Sequence, residues 1–290
     1  MPLSTETRGD AKPQTDLLHD LQSEPDSRAI AIDKVGIRGL ETPIQVKDRR
    51  DRIQDTIGSF DLYVDLPEDV KGTHMSRFVE IIHGHREPYG VDHLQPLLKQ
   101  IQRRLVAESA FLELRFPFFL EKAAPVTGHR SLMNYQVTFR GRLEGDAIES
   151  ILQVEIPVKT LCPCSKSISR YGAHNQRGVA TVQVTSSETV WIEEIINIVE
   201  DSGSAQLYAL LKRPDEKHVT EQAYENPVFV EDLARNIVVR LKQDHRISWY
   251  QVEAENHESI HNHNAYAVIA SDGPCLRKAP GRRSSKRITS

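Results

Sequence analysis

Cys162 and Cys164 stand in a C-x-C pattern within residues 161–178, LCPCSKSISRYGAHNQRG, and His174 follows ten residues after the second cysteine. Lys159, Lys166, Arg170 and Arg177 crowd the same stretch. A disulfide between residues two apart is strained. A pair flanked by Pro163, Ser165 and Lys166 also makes a poor core segment, so these thiols read as ligands or nucleophiles. In an extended chain they would point the same way, whereas a bend at Pro163 would make them diverge. A second cluster, NHESIHNHN at 256–264, carries His257, His261 and His263. His261 and His263 share a face if the segment is extended, and such a group suits metal binding or proton transfer. A third stretch, RPDEKHVTEQAYENP, offers Asp215, Glu216 and His218 among charges that are mostly solvated. One thiolate, two imidazoles and a carboxylate would suit Zn²⁺ or another divalent transition ion. Spacing alone does not make the three clusters converge, and C-x-C…H is a weaker signature than paired C-x-x-C knuckles.

The elements that must position these residues follow from periodicity. Alternation predicts strands over 51–66, 110–118, 133–139, 152–158, 179–185, 247–254 and 265–270, with an arm or edge strand from about 29 to 47. Helices are predicted within 71–86, capped by Thr73 or Ser76, and over 92–108. In the second, Leu94, Leu97, Leu98, Ile101 and Leu105 form one stripe and Pro96 is tolerated in the first turn. Further helical segments are expected at 192–199, at 201–213 and after Asn226–Pro227, read as an N-cap and first-turn pair. Hairpins with inserted helices, occurring twice, give an α+β class with antiparallel sheets. Lys71, His74 and Arg77, at the start of the first helix, could meet an anion such as phosphate.

The chain has 290 residues and a formal net charge of −4, with a pI near 6.3, so no global signal for nucleic acid is present. Three cysteines argue against a disulfide framework and fit a reducing compartment. No run of about 18 apolar residues predicts a membrane span. The polar N-terminus lacks an apolar signal region, so the cytoplasm is expected. Composition divides the chain into a disordered tail at 1–30, a body at 31–271 with the apolar density to fold, and a basic, disordered tail at 272–290 that contains Cys275, to which no role is given.

Four stretches in order, IDKVGIRGLETPIQV, KGTHMSRFVE, LCPCSKSISRYGAHNQRG and NHESIHNHNAYA, together resemble the type IB GTP cyclohydrolase I family of prokaryotes, covering about residues 32 to 267. The resemblance implies a tunnelling fold of two fused sheet-plus-helices modules. It also implies a homotetramer with active sites at subunit interfaces. The activity implied is conversion of GTP and water to 7,8-dihydroneopterin triphosphate and formate by opening the imidazole ring at C8. That step would feed tetrahydrofolate and, in many bacteria, 7-deazaguanine-modified tRNA nucleosides. By motif, Cys162, His174, Glu216 and His261 match ligands of a divalent ion (Mn²⁺, Zn²⁺ or Fe²⁺). Cys164 matches a cysteine implicated near C8, and which of Cys162 and Cys164 is ligand and which is catalyst stays open. His261 matches a catalytic histidine close to the ion as the alternative to a ligand, and His263 is a candidate proton shuttle. Glu231 matches the carboxylate that anchors guanine, since its two oxygens suit the N1–H and N2–H₂ donors. Lys71, His74 and Arg77 are assigned to the triphosphate, across an interface if need be. The alternatives are an Fe²⁺-dependent relative that stops at a cyclic phosphate, a non-catalytic purine or pterin binder, and a structural zinc protein.

Overall fold

A computed structural model describes residues 20–273, so the readings for 1–19 and 274–290, including Cys275, lie outside the described residues. Eight strands form one antiparallel sheet in sequence order: β1 (Ile32–Lys47), β2 (Ile53–Leu66), β3 (Ser109–Ala123), β4 (Arg130–Glu144), β5 (Ala147–Leu161), β6 (Asn175–Ser186), β7 (Ile247–His257) and β8 (Ala265–Ala270). Helices α1 (Met75–Gly84) and α2 (Leu94–Leu105) interrupt the first four strands. The second four are interrupted by the short α3 (Pro163–Ile168) and by α4 (Ile192–Glu200), α5 (Arg213–Glu225) and α6 (Val230–Leu241). The pattern of two strands, helices and two strands is therefore repeated, as the tunnelling fold requires.

Period-two burial explains the layering. Ala110, Leu112, Leu114, Phe116 and Phe118 of β3 are buried under the helices, while Glu113 and Arg115 between them carry charge on the other face. There Arg140 bonds Glu113 at 2.9 Å and Gln153 at 2.9 Å. One apolar core runs beneath both halves, with the α2 stripe and Leu233, Ile237 and Leu241 of α6 packed on the strands. The edge strand β1 bends at two register shifts. At the second, Gly39 takes φ +68°, a left-handed conformation that favours glycine, and its N–H donates to Asp61 at 2.8 Å.

Several boundaries differ from the sequence reading. Helix α1 begins after His74, with neither Thr73 nor Ser76 as cap. No helix forms over 201–212, because the backbone is engaged elsewhere. The Ser204 N–H donates to the Lys159 carbonyl, and the Ala205 carbonyl accepts from the Lys159 N–H, both at 2.9 Å. Asn226 ends α5 instead of starting α6, since Pro227 disfavours helical backbone at the residue before it. Residues 20–26, read as tail, pair with 69–72 through bonds such as Asp26 N–H to the Asp69 carbonyl at 3.0 Å.

Asp215 is fully buried. Its carboxylate accepts from the Val126, Thr127 and Lys212 N–H groups and the Thr127 hydroxyl at 2.7–2.9 Å. Burial pushes the carboxyl up, but the hydrogen bonds from Thr127, Lys212 and Val126 outweigh it and hold the group well below the usual carboxylate range. A depressed folded value means that its stabilisation is complete above the unfolded value of about 3.9 and is lost as pH falls through the folded value. Asp215→Asn is thus less stable than wild type at pH 7 in urea unfolding, and the gap closes as pH falls below about 4. A gap that stays constant from pH 7 to acid would contradict this role.

Candidate active site

The end of β5 builds the site. Cys162 follows the last strand residue and caps α3, with Pro163 in the first turn and Sγ accepting from the Ser165 N–H at 3.5 Å. Its own N–H donates to the His174 carbonyl at 3.1 Å, and the His174 N–H donates to Ser165 Oγ at 3.2 Å. The polar loop 169–174 is thereby folded back onto the cysteine. The two cysteines diverge: Cys162 is half-buried and faces a cleft, while Cys164 is exposed on α3. The helix produces this divergence, because residues i and i+2 do not share a helical face.

The cleft has a volume of about 290 Å³. Its walls are Cys162, His174 and Gln176 from the β5–β6 junction, Val228–Glu231 at the start of α6, Asn256 and Glu258 at the end of β7, and His261, His263 and Ala265 leading into β8. The Val228 N–H donates to the Leu161 carbonyl at 3.0 Å and fixes α6 beside the cysteine. His261 and His263 stack with ring centroids 5.2 Å apart and planes at 19°, and His261 stands edge-on to His174 at 6.5 Å. Gln176 bonds both His174 Nδ1 (3.1 Å) and Glu258 (3.3 Å). Asn256 is 2 % exposed, and its Oδ1 has no hydrogen-bond partner. A larger groove of about 470 Å³ lies in the first half between β1 and the 82–89 segment, but no cysteine lines it.

Of the residues singled out by sequence, Cys162, His174, Glu231, His261 and His263 come together in this cleft. The others do not line it. Glu216 and His218 are exposed on α5, and Asp215 is the buried cap described above, so no role at an ion is derived for these three from this chain. His257 is exposed and lies 3.3 Å from Asn264 Nδ2. Lys71 pairs with Glu24 at 2.5 Å, His74 with Asp20 at 3.2 Å, and Arg77 donates to the Arg104 carbonyl at 3.1 Å. Gln176, Asn256 and Glu258 were missed. Its place two residues after His174 was the available signal for Gln176, but the strand was expected only from 179, whereas β6 begins at Asn175.

Thiol, imidazole and carboxylate groups on one wall suit a divalent transition ion. Among the described residues, no three such side chains are gathered into a ready-made cage. The donor set therefore fits the ion in chemistry while leaving side-chain rotation to complete its coordination.

The model of the family described as type I GTP cyclohydrolase FolE2 matches residues 18–267. The chain is 52% identical over 252 residues to GTP cyclohydrolase FolE2 of Nitrosococcus oceani, covering 87% of this chain and 94% of that protein. It is equally similar to the FolE2 of Magnetococcus marinus, 52% over 252 residues, covering 87% and 95%. Among solved structures, a highly active mutant of Bacillus sp. TB-90 urate oxidase superposes with a TM-score of 0.51 at 9% identity, over 83% of this chain and 100% of that chain. At that identity the likeness concerns the fold alone.

A Cβ at Gly178 would lie 2.6 Å from Asn256 Oδ1. Gly178→Ala must therefore displace the buried Asn256 amide from the cleft wall. We expect a loss of about 1–3 kcal/mol in urea unfolding, and unchanged stability would show that Asn256 is not confined there.

Proposed function

The chain belongs to the type I GTP cyclohydrolase FolE2 family, and from that premise we propose that it converts GTP and water to 7,8-dihydroneopterin triphosphate and formate. The observation that carries this reading is the convergence of a thiol, three imidazoles and two carboxylates on one cleft. Hydrolysis of the C8–N9 and C8–N7 bonds consumes two waters and releases C8 as formate. Rearrangement of the ribose and ring closure return one water.

A divalent ion (Zn²⁺, Mn²⁺ or Fe²⁺) held by Cys162, His174 and His261 would supply Lewis acidity for this hydrolysis. Glu231, in the first turn of α6, offers two acceptor oxygens to the N1–H and N2–H₂ donors of guanine. His263, exposed and stacked on His261, suits proton delivery to N9 or N7 as the bonds to C8 break, and His261 would share that role only if it does not ligate the ion. The cleft position of Cys162 favours it as the ligand. The part of Cys164 near C8 rests on the family resemblance, because that side chain is exposed on α3.

We assign the chain to a homotetramer with sites at subunit interfaces. This is supported by β1 and β8 standing at the two edges of the sheet, where strands of another subunit can add. Lys71, His74 and Arg77, outside the cleft of their own chain, would then meet the triphosphate of a neighbour. No described helix is long and apolar enough to cross a membrane. Cytoplasmic action at the head of tetrahydrofolate and 7-deazaguanine nucleoside synthesis completes the proposal.

Steady-state formate release tests the anchor. Glu231→Gln lowers kcat/KM for GTP by roughly 10- to 100-fold, the worth of a charge-assisted hydrogen bond. It also narrows the preference for GTP over inosine triphosphate, which lacks the 2-amino group. An unchanged preference would remove Glu231 from guanine recognition, and near-normal turnover by Cys164→Ala would remove that thiol from the chemistry.

A further inference from the structure

Gln176, at the start of β6, bonds both a cleft imidazole, His174, and a cleft carboxylate, Glu258, and it is 8 % exposed. Its amide lies between two groups with opposite demands. Toward Glu258 stands the Gln176 Nε2, 3.3 Å from Oε1. An ionised carboxylate only accepts hydrogen bonds, so the amide must turn its NH₂ to Glu258 and its carbonyl to His174. That carbonyl oxygen is 3.1 Å from His174 Nδ1 and is itself only an acceptor. The proton of the neutral imidazole must therefore sit on Nδ1. The other groups around that atom agree: Ser259 Oγ at 3.5 Å can accept from it, and the Glu258 carboxylate 3.8 Å away favours a proton on Nδ1 electrostatically rather than by a hydrogen bond.

We propose that Gln176 is a positioning residue that holds His174 as its Nδ1–H tautomer and so reserves the Nε2 lone pair for a divalent cation. In water the neutral imidazole favours the Nε2–H form, which would offer a cation no lone pair at Nε2. The Glu258 carboxylate orients the amide, the amide orients the proton, and the ring is left with one defined ligating atom. The pairing also fixes the ring plane, because Gln176 is anchored opposite Thr160 in the β5–β6 ladder. The proposal rests on the reading of His174 as a metal ligand, and it adds a residue that neither spacing nor the family resemblance had singled out.

The test uses the full-length protein freed of metal and labelled with ¹⁵N-histidine. Tautomers are read from the ring nitrogen shifts, and Zn²⁺ affinity from competition with a chromophoric chelator. Wild type shows His174 protonated at Nδ1. Gln176→Met, similar in length but without hydrogen-bonding groups, shifts the ring toward Nε2–H and weakens Zn²⁺ binding by about 10- to 100-fold. Gln176→Glu, which keeps an oxygen facing Nδ1, retains the tautomer. Gln176→Ala carries the same expectation as the Met variant should that one fail to fold. A folded Gln176→Met or Gln176→Ala protein with wild-type tautomer and affinity, alongside a His174→Ala protein that has lost affinity, overturns the proposal alone. Zn²⁺ affinity that His174→Ala leaves unmoved overturns the metal reading and the proposal with it.

Discussion

The last residue of β5 is shared among three segments, and the site depends on that sharing. The Leu161 N–H donates to Ser204 Oγ at 3.0 Å, and its carbonyl accepts from the Val228 N–H at 3.0 Å. The next N–H, that of Cys162, reaches the His174 carbonyl at 3.1 Å. Two consecutive residues thus tie the 202–212 segment, the entry to α6 and the start of β6 to one strand end. Buried backbone groups must find partners, so the cysteine, the first histidine and Glu231 are held near one another by satisfying the main chain. The amide of Asn226 adds a further tie by donating to the Gly203 carbonyl at 2.9 Å.

The two halves also share a buried polar group of three side chains, an ion pair and a phenol. Lys122 bonds Glu200 at 2.7 Å and the Leu207 carbonyl at 2.9 Å, and the Tyr135 hydroxyl donates to the same carboxylate oxygen at 2.7 Å. Burial pushes the Lys122 amine down while Glu200 pulls it back up. Burial and Glu200 together push the Tyr135 phenol far above its ordinary value. Such a group gives little net stability compared with apolar packing, but removing one member strands the others in a dry environment. Its placement gives it a specific structural consequence. It joins β3 and β4 of the first half to α4 and the 202–212 segment of the second.

The parts legible in sequence were those with a period or a rare residue type. The α2 stripe from Leu94 to Leu105 and the alternation of β3 announced themselves because each side chain's burial repeats with the backbone geometry. Cys162, His174, His261 and His263 stood out because few residue types ligate or carry protons. Gln176, Asn256 and Glu258 were hidden for the converse reason. A lone amide or carboxylate at a strand end is common, and only the pairing of β5 with β6 and of β6 with β7 brings these together. The region 201–212 misled because its apolar residues mimic a helix, while its hydrogen bonds go to β5 and to Lys122. Asn226–Pro227 misled because the same pair that can open a helix here closes one. Glu216 came from resemblance, and its exposed position on α5 reflects what one chain can show of a site assigned to subunit interfaces.

The most direct measurement is formate released from GTP by the full-length protein, first stripped of metal and then reloaded separately with Mn²⁺, Zn²⁺ and Fe²⁺, with the pterin followed by fluorescence after oxidation. The account predicts no formate from the stripped protein and, on reloading with at least one ion, formate and pterin in equal amounts. Formate production that survives stripping, or GTP bound by every reloaded form without any formate, would contradict it.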